Sequence, residues 1–290
     1  MRIRSLPLTF CLSFAFAASF FAQKNEQDRS WNQPVEPFKI AGNIYYVGAS
    51  DVTSYLITTP KGHILIDSGL IETVPQIKEN IAKLGFKLAD VKILLNSHAH
   101  YDHAGGLAEL RRLTHAKLLV SRPDFDLLAR GGLADPNYLG LFPFEPVKAD
   151  ETFGDGKQVK LGGAVLIANL TPGHTPGCTT WTTEVSENGN KYNVVFVCST
   201  SAPGYKLVDN EKYPAIWADY TRTFERLEKM KVDIFLGSHG NIYGLEDKIA
   251  HVRAGTGGNP FVDPAGYREY LAASKASIQS AYKRQSEQQK

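Results

Sequence analysis

Within the ten residues Ser97-His98-Ala99-His100-Tyr101-Asp102-His103-Ala104-Gly105-Gly106, three imidazoles and one carboxylate fall inside six positions. Imidazole nitrogen and carboxylate oxygen are donors that zinc accepts, and a zinc that does chemistry keeps one position open for water. In an extended segment residues two apart project to the same side, so His98 and His100 are placed to close on one ion. Asp102 and His103 follow where the chain must turn into a helix, so their side chains diverge toward a neighbouring point. Two adjacent metals suit this spacing better than one crowded metal. Gly105 and Gly106 let backbone pass the cluster without a Cβ clash.

Four local donors cannot complete two coordination spheres, so further ligands are expected from distant histidines. His174 lies in the Pro/Gly loop Leu170-Thr-Pro-Gly-His-Thr-Pro-Gly177, and His239 follows the apolar run Ile234-Phe-Leu-Gly. Both therefore fall just after strand candidates, where loops gather over a rigid scaffold and active sites commonly form. Of the eight histidines, His63, His115 and His251 lack this placement and read as ordinary surface or satisfied residues.

The elements that must hold these groups show in the periodicity. Val91-Lys-Ile-Leu-Leu95 has the length of a strand, and Leu107, Leu110 and Leu113 share a helix face, so the cluster sits at a strand-to-helix junction. Strand signals at 43–47, 54–59 and 63–67 precede a helix near 74–84, while 130–153 is turn-rich. The second half repeats the order, with strands near 157–160, 164–169, 178–185 and 192–198, a helix over about 215–230, a strand at 232–236 and a terminal helix from Pro264. Two such halves predict an α/β protein of packed sheets with helices outside.

The segments His98-Ala-His-Tyr-Asp-His103, Thr171-Pro-Gly-His174 and Gly237-Ser-His239 resemble the metal motifs of the metallo-β-lactamase superfamily. More narrowly, the chain resembles subclass B3 metallo-β-lactamases from about Phe38 to the C-terminal region. Tyr45-Tyr-Val-Gly48, Ile64-Leu-Ile-Asp-Ser-Gly69, Ala129-Arg-Gly-Gly132, Ser201-Ala-Pro-Gly-Tyr-Lys-Leu207 and Asp219-Tyr-Thr-Arg-Thr-Phe224 carry that likeness. The resemblance implies a four-layer αββα sandwich with the metals in a cleft along one edge of the two sheets. It implies two Zn2+ per subunit, one held by His98, His100 and His174, the other by Asp102, His103 and His239. The implied reaction is opening of a β-lactam amide by a zinc-activated hydroxide, with Asp102 orienting the attacking group. Ser199 and Ser201 match serines that serve solvent and the substrate carboxylate, and Tyr205 is in place to assist the developing oxyanion. Ordinary loop polarity is the competing reading for these three. Asp67 reads as an orienter of a ligand histidine, or equally as a turn cap.

The window Val194-Val-Phe-Val-Cys-Ser-Thr-Ser201 separates the activities of the superfamily. Its thioesterases, lactonases and phosphodiesterases typically place a metal-bridging aspartate here, yet this window has neither Asp nor Glu. Cys198 is one candidate metal ligand in the window. A second use pairs it with Cys178, because an Asn188-Gly189 turn would fold 178–185 and 192–198 into a hairpin whose open end brings the two together. Some subclass members are similar in having this disulfide; two buried free thiols are the alternative.

Met1-Arg-Ile-Arg4, the apolar stretch Leu6 to Phe16 and the small residues from Ala15 to Ala22 read as a signal peptide over 1–22, with residues 23–290 forming one metallo-β-lactamase domain. Cys11 lacks the neighbours of a lipidated cysteine. Loss of Arg2 and Arg4 brings the formal charge of +2 to about zero, which disfavours a nucleic-acid enzyme. No stable membrane association is expected after cleavage. Tyr138, Leu141, Phe142 and Phe144 are expected to wall the cleft or to pack as core, and Trp31 to approach it. The expected protein is a periplasmic β-lactamase acting on penicillins, cephalosporins and carbapenems and conferring resistance. The alternative is another exported dizinc hydrolase, of thioesters, lactones or phosphodiesters.

Overall fold

The computed structural model describes residues 26–255 and 257–289; the expected leader over 1–22, with Cys11, lies outside the described residues. Seven strands, β1 (Phe38–Ala41), β2 (Ile44–Tyr46), β3 (Tyr55–Thr59), β4 (Gly62–Ile66), β5 (Val91–Leu95), β6 (Lys117–Ser121) and β7 (Glu151–Phe153), form one sheet in chain order. Pairing is antiparallel from β1 to β4 and parallel from β4 to β7. A second sheet has the order β12-β11-β10-β9-β8, built from β8 (Gln158–Leu161), β9 (Ala164–Leu170), β10 (Thr179–Glu187), β11 (Asn190–Val197) and β12 (Ile234–Gly237). Only the β11–β12 pair is parallel there.

Strand alternation creates the layers, because successive side chains leave opposite faces of a sheet. Ile64, Ile66, Leu95 and Leu119 face Trp181, Val194 and Phe196 of the second sheet across one buried core. Leu65, Leu94, Leu118 and Val120, one residue out of phase, face the helices instead. There they meet α2 (Val74–Lys83), α4 (Leu107–Thr114) and α5 (Phe125–Ala129) through Val74, Ile77, Leu107, Leu110 and Leu128. Behind the second sheet lie α6 (Ile216–Glu228), α7 (Leu245–Ala254) and α8 (Pro264–Gln288), which pack through Leu227, Ile249, Tyr267 and Leu271. The result is the expected helix–sheet–sheet–helix order. Residues 26–31 form a further helix, α1, and Tyr101–Ala104 a single turn, α3.

Three strands were not anticipated. β1 and β7 are three- or four-residue pieces at sheet edges, too short for a period to register, and β6 hides directly behind the helix that precedes it. The β10–β11 hairpin follows the expected turn. Asn188 and Gly189 both take positive φ, 52° and 82°, and Glu187 pairs with Asn190, the geometry of a two-residue turn that matches strand twist. At the open end, Cys178 and Cys198 form a disulfide with Cα atoms 5.9 Å apart, across a sequence separation of 20 residues. Cys198 as a metal ligand is thereby excluded. A loop of this size predicts a loss of roughly 3 kcal/mol when the bond is removed. Denaturant unfolding of the Cys178→Ala/Cys198→Ala double variant should show the shift in midpoint. Among the described residues no helix is long and apolar enough to cross a membrane.

Candidate metal centre

Each donor group follows the end of a strand. After β5 the chain stays extended through His100 (φ −96°, ψ 157°), then winds into α3, which carries Asp102 and His103. His174 follows β9 and His239 follows β12. The sheets fix these ends against one another: Thr179 N donates to Ser97 O, Ser238 N to Val197 O, and Val52 bridges to His239.

Two groups of donors result. His100 Nδ1 lies 3.1 Å from His174 Nε2, and His98 joins them with all three donor atoms within 4.8 Å of one another. His98 Nε2 is buried without a hydrogen-bond partner. In the second group, His239 Nε2 lies 3.2 Å from His103 Nε2 and 3.3 Å from Asp102 Oδ2. Two ligands at about 2.0–2.1 Å from a tetrahedral zinc stand about 3.3–3.4 Å apart, close to these separations. His98, Asp102 and His103 also form a compact set, so the two groups adjoin. A metal supplies the positive charge that facing lone pairs and an orphaned ring nitrogen lack, and nitrogen and oxygen donors of this kind fit zinc.

Charge in the site agrees. Burial, reinforced by the neighbouring imidazoles, holds His98 well below its ordinary value and His174 down to about 3, so both rings are neutral as ligands must be. Burial pushes the Asp102 carboxyl up, but His103 and His239 outweigh it and keep it well below the usual range. Burial pulls His239 down, yet Asp102 and Asp51 together raise it to about 9, a nitrogen held among anions where a cation belongs.

Groups behind the donors aim them. His98 Nδ1 faces Ser97 Oγ at 3.1 Å, and His174 Nδ1 donates to Ser201 O at 2.8 Å. Asp67 is 2% exposed; its Oδ1 accepts from Ser97 N at 2.6 Å, and its Oδ2 stands 3.6 Å from His103 Nδ1. Three aspartates were not anticipated. Asp51 Oδ2 lies 2.8 Å from His239 Nδ1, and Asp135 Oδ2 lies 2.8 Å from His100 Nε2. Asp124 accepts from Ala99 N, Thr175 Oγ1 and Gly177 N, tying the His98–His100 segment to the His174 loop. That junction leaves no room for a side chain at 177, since a Cβ there would lie 2.5 Å from Asp124 Cγ. Asp124→Ala would strand three buried donors at about 1–3 kcal/mol each. Thermal unfolding should show a loss of about 3 kcal/mol or more, with weakened metal binding.

The donors open into a cleft of about 430 Å³ whose rim includes Trp31, Tyr138, Phe142, Ser199 and Ser201. Trp31 packs edge-on to His239, with ring centroids 5.0 Å apart. Of the four residues expected to wall the cleft, Tyr138 and Phe142 do so; Phe144 packs toward the helical core and Leu141 is 60% exposed. Ser199 Oγ and Ser201 Oγ are 3.1 Å apart. Tyr205 lies against His174. It is 2% exposed, stacked on His174 with its hydroxyl 3.4 Å from Nδ1, on the side of the ring away from the other donors. His115 and His251 are exposed at a helix end and on α7, and His63 packs against Phe86, all apart from the donors.

The model of the Metallo-beta-lactamase superfamily matches residues 47–239. The native FEZ-1 metallo-beta-lactamase from Legionella gormanii is 46% identical, with a TM-score of 0.86 over 88% of this chain and 98% of that one. BJP-1, a subclass B3 metallo-beta-lactamase of Bradyrhizobium japonicum, is 38% identical, with a TM-score of 0.84 over 90% of this chain and 98% of that one. Among curated proteins, an N-acyl homoserine lactonase, AttM of Azorhizobium caulinodans, is 28% identical over 48% of this chain. The chain spans about six tenths of the length of the curated lactonases it matches. The matched span runs from ahead of the first histidine of the cluster to His239 itself, and the likeness to solved enzymes extends over nearly the whole described chain. By fold, by motif and by these relatives, the chain belongs to the metallo-beta-lactamase superfamily, among the subclass B3 enzymes.

Proposed function

We propose that the protein is an exported dizinc β-lactamase that opens the cyclic amide of penicillins, cephalosporins and carbapenems and thereby confers resistance. The observation that carries this reading is the junction of the two donor groups. The 194–201 window offers no carboxylate, and Cys198 is committed to its disulfide. The two groups therefore meet without a bridging side chain, unlike the aspartate-bridged centres expected of superfamily lactonases and thioesterases.

In this proposal His98 Nε2, His100 Nδ1 and His174 Nε2 hold the first metal, and Asp102, His103 Nε2 and His239 Nε2 the second. Zinc bound there would supply a water of pKa about 7 and polarisation of the substrate carbonyl. The protein's own groups do the rest. Asp102 orients the attacking water toward the carbonyl carbon; the new C–O bond forms, the C–N bond of the ring breaks, and the nitrogen takes the proton that the water gives up. Ser199 and Ser201 donate hydroxyl hydrogens to the substrate carboxylate at the rim. Tyr138 and Phe142 cover apolar substituents and keep bulk water from the face they line. Tyr205, stacked on His174 with its hydroxyl 3.4 Å from Nδ1, holds that ring. Asp67 and Asp51 orient His103 and His239. Residues 1–22 direct export to the periplasm and are removed, and the disulfide is in keeping with an oxidising compartment.

Ring opening of imipenem, a penicillin and a cephalosporin, followed by absorbance before and after chelation, tests the proposal. Turnover that vanishes with the metal and returns with zinc is the expected result. No turnover of any of the three with both metals bound, alongside turnover of an acyl homoserine lactone, would replace it with the lactonase reading.

A further inference from the structure

We propose that Asp135 is a two-sided positioning residue: one carboxylate oxygen fixes the His100 tautomer that leaves Nδ1 free for a metal, and the other closes the turn that lays Tyr138 over the cleft. The inference rests on the metal assignment above and extends it to the wall of the cleft.

Asp135 is 4% exposed and lies in the turn-rich segment after α5. Its Oδ2 is 2.8 Å from His100 Nε2, a charge contact whose angle falls short of a hydrogen bond, while His100 Nδ1 looks the other way, toward His174 Nε2. A neutral imidazole carries one N–H, and a carboxylate can only accept. The carboxylate charge beside Nε2 favours the proton on that nitrogen and the lone pair on Nδ1, the form a ligand needs. The second oxygen, Oδ1, accepts from Asn137 N at 2.7 Å and Tyr138 N at 2.9 Å. That turn in turn grips the site, because Asn137 Nδ2 donates to His174 O and the Tyr138 ring packs on His100 with centroids 4.9 Å apart. Tyr138 continues into contacts with Phe142 and Tyr205. One buried carboxylate thus joins a metal donor to the aromatic wall.

Two backbone N–H groups bond one oxygen and the His100 Nε2 faces the other, and an amide cannot serve both sides. In Asp135→Asn the NH2 group must face either His100 or the two backbone N–H groups. The first orientation drives the ring proton onto Nδ1 and spoils the donor. The second opens the turn.

The test uses the mature, zinc-loaded enzyme and its near-isosteric D135N variant, with Asp135→Ala as a second variant that loses both sides together. Zinc affinity is read by competition with a chromophoric chelator, and order of the wall by amide hydrogen exchange over 137–142. D135N should lower the affinity for one zinc about 10–100-fold, or speed exchange at 137–142, or both, and D135A should do both. In the wild type, the His100 ring should show a solvent-protected Nε2–H resonance by nitrogen-15 NMR. Unchanged affinity and exchange in folded D135N, or a His100 ring protonated on Nδ1 in the wild type, overturns the proposal. None of these readouts needs a β-lactam. A protein that binds two zincs but opens no drug would sink the proposed function and leave this inference standing, while an active enzyme indifferent to D135N would do the reverse.

Discussion

His174→Ala is expected to abolish hydrolysis of imipenem and to cut the zinc content by about half under mild chelation, while the protein remains folded. The ring contributes one of three donors to the first group, with Nε2 3.1 Å from His100 Nδ1. Without it two imidazoles remain, too few to hold a metal against competition while leaving a site for water. The fold should survive because the backbone of the loop is held independently. Thr171 N donates to Cys178 O, and Asp124 grips Thr175 and Gly177. Zinc analysis, near-ultraviolet circular dichroism and initial rates check the three parts together. A variant that hydrolysed at the normal rate with full zinc would show that His174 is not a ligand.

Asp102→Asn is the second large effect. Asp102 is the one carboxylate among the six donors, reaching toward both His103 and His239 in the second group while also lining the cleft. Asparagine keeps the shape and removes the charge, so it separates electrostatics from packing. The loss in kcat/KM should exceed the roughly 10–100-fold typical of removing a group that merely supports a ligand. The second zinc should weaken more than the first, because only the second group uses the Asp102 oxygen. Loss of one pole of its anionic surroundings should also bring His239 down from the raised position that Asp102 and Asp51 impose. Titration of the metal-free variant by NMR checks that direction.

The cluster that the structure gathers was legible because four of its six groups lie within six positions and the others follow recognisable strands. His98 and His100 needed only the rule that alternate residues share a side, and His174 and His239 needed only their place after apolar runs. The groups that aim them were not legible. Asp51 meets His239 across 188 positions and Asp135 meets His100 across 35, in loops whose composition announces a turn and nothing more. Long-range contacts of this kind are set by how the two sheets pack, which no local period encodes. The same limit applies to Tyr205: its segment resembles the subclass, but its stacking on His174 is set by tertiary packing. In the fold, long amphipathic or β-branched runs such as α6 and the β10–β11 hairpin were clear. The short edge strands β1 and β7, stabilised by a neighbour rather than by their own pattern, were not.

Five imidazoles and one carboxylate are proposed to form two adjoining metal positions. Anomalous diffraction at the zinc edge from crystals of the mature protein tests this directly. Two peaks are expected, one within about 2.0–2.2 Å of His98 Nε2, His100 Nδ1 and His174 Nε2, the other at the same distance from Asp102, His103 Nε2 and His239 Nε2. A single peak under saturating zinc, or peaks away from these six groups, would contradict the proposal.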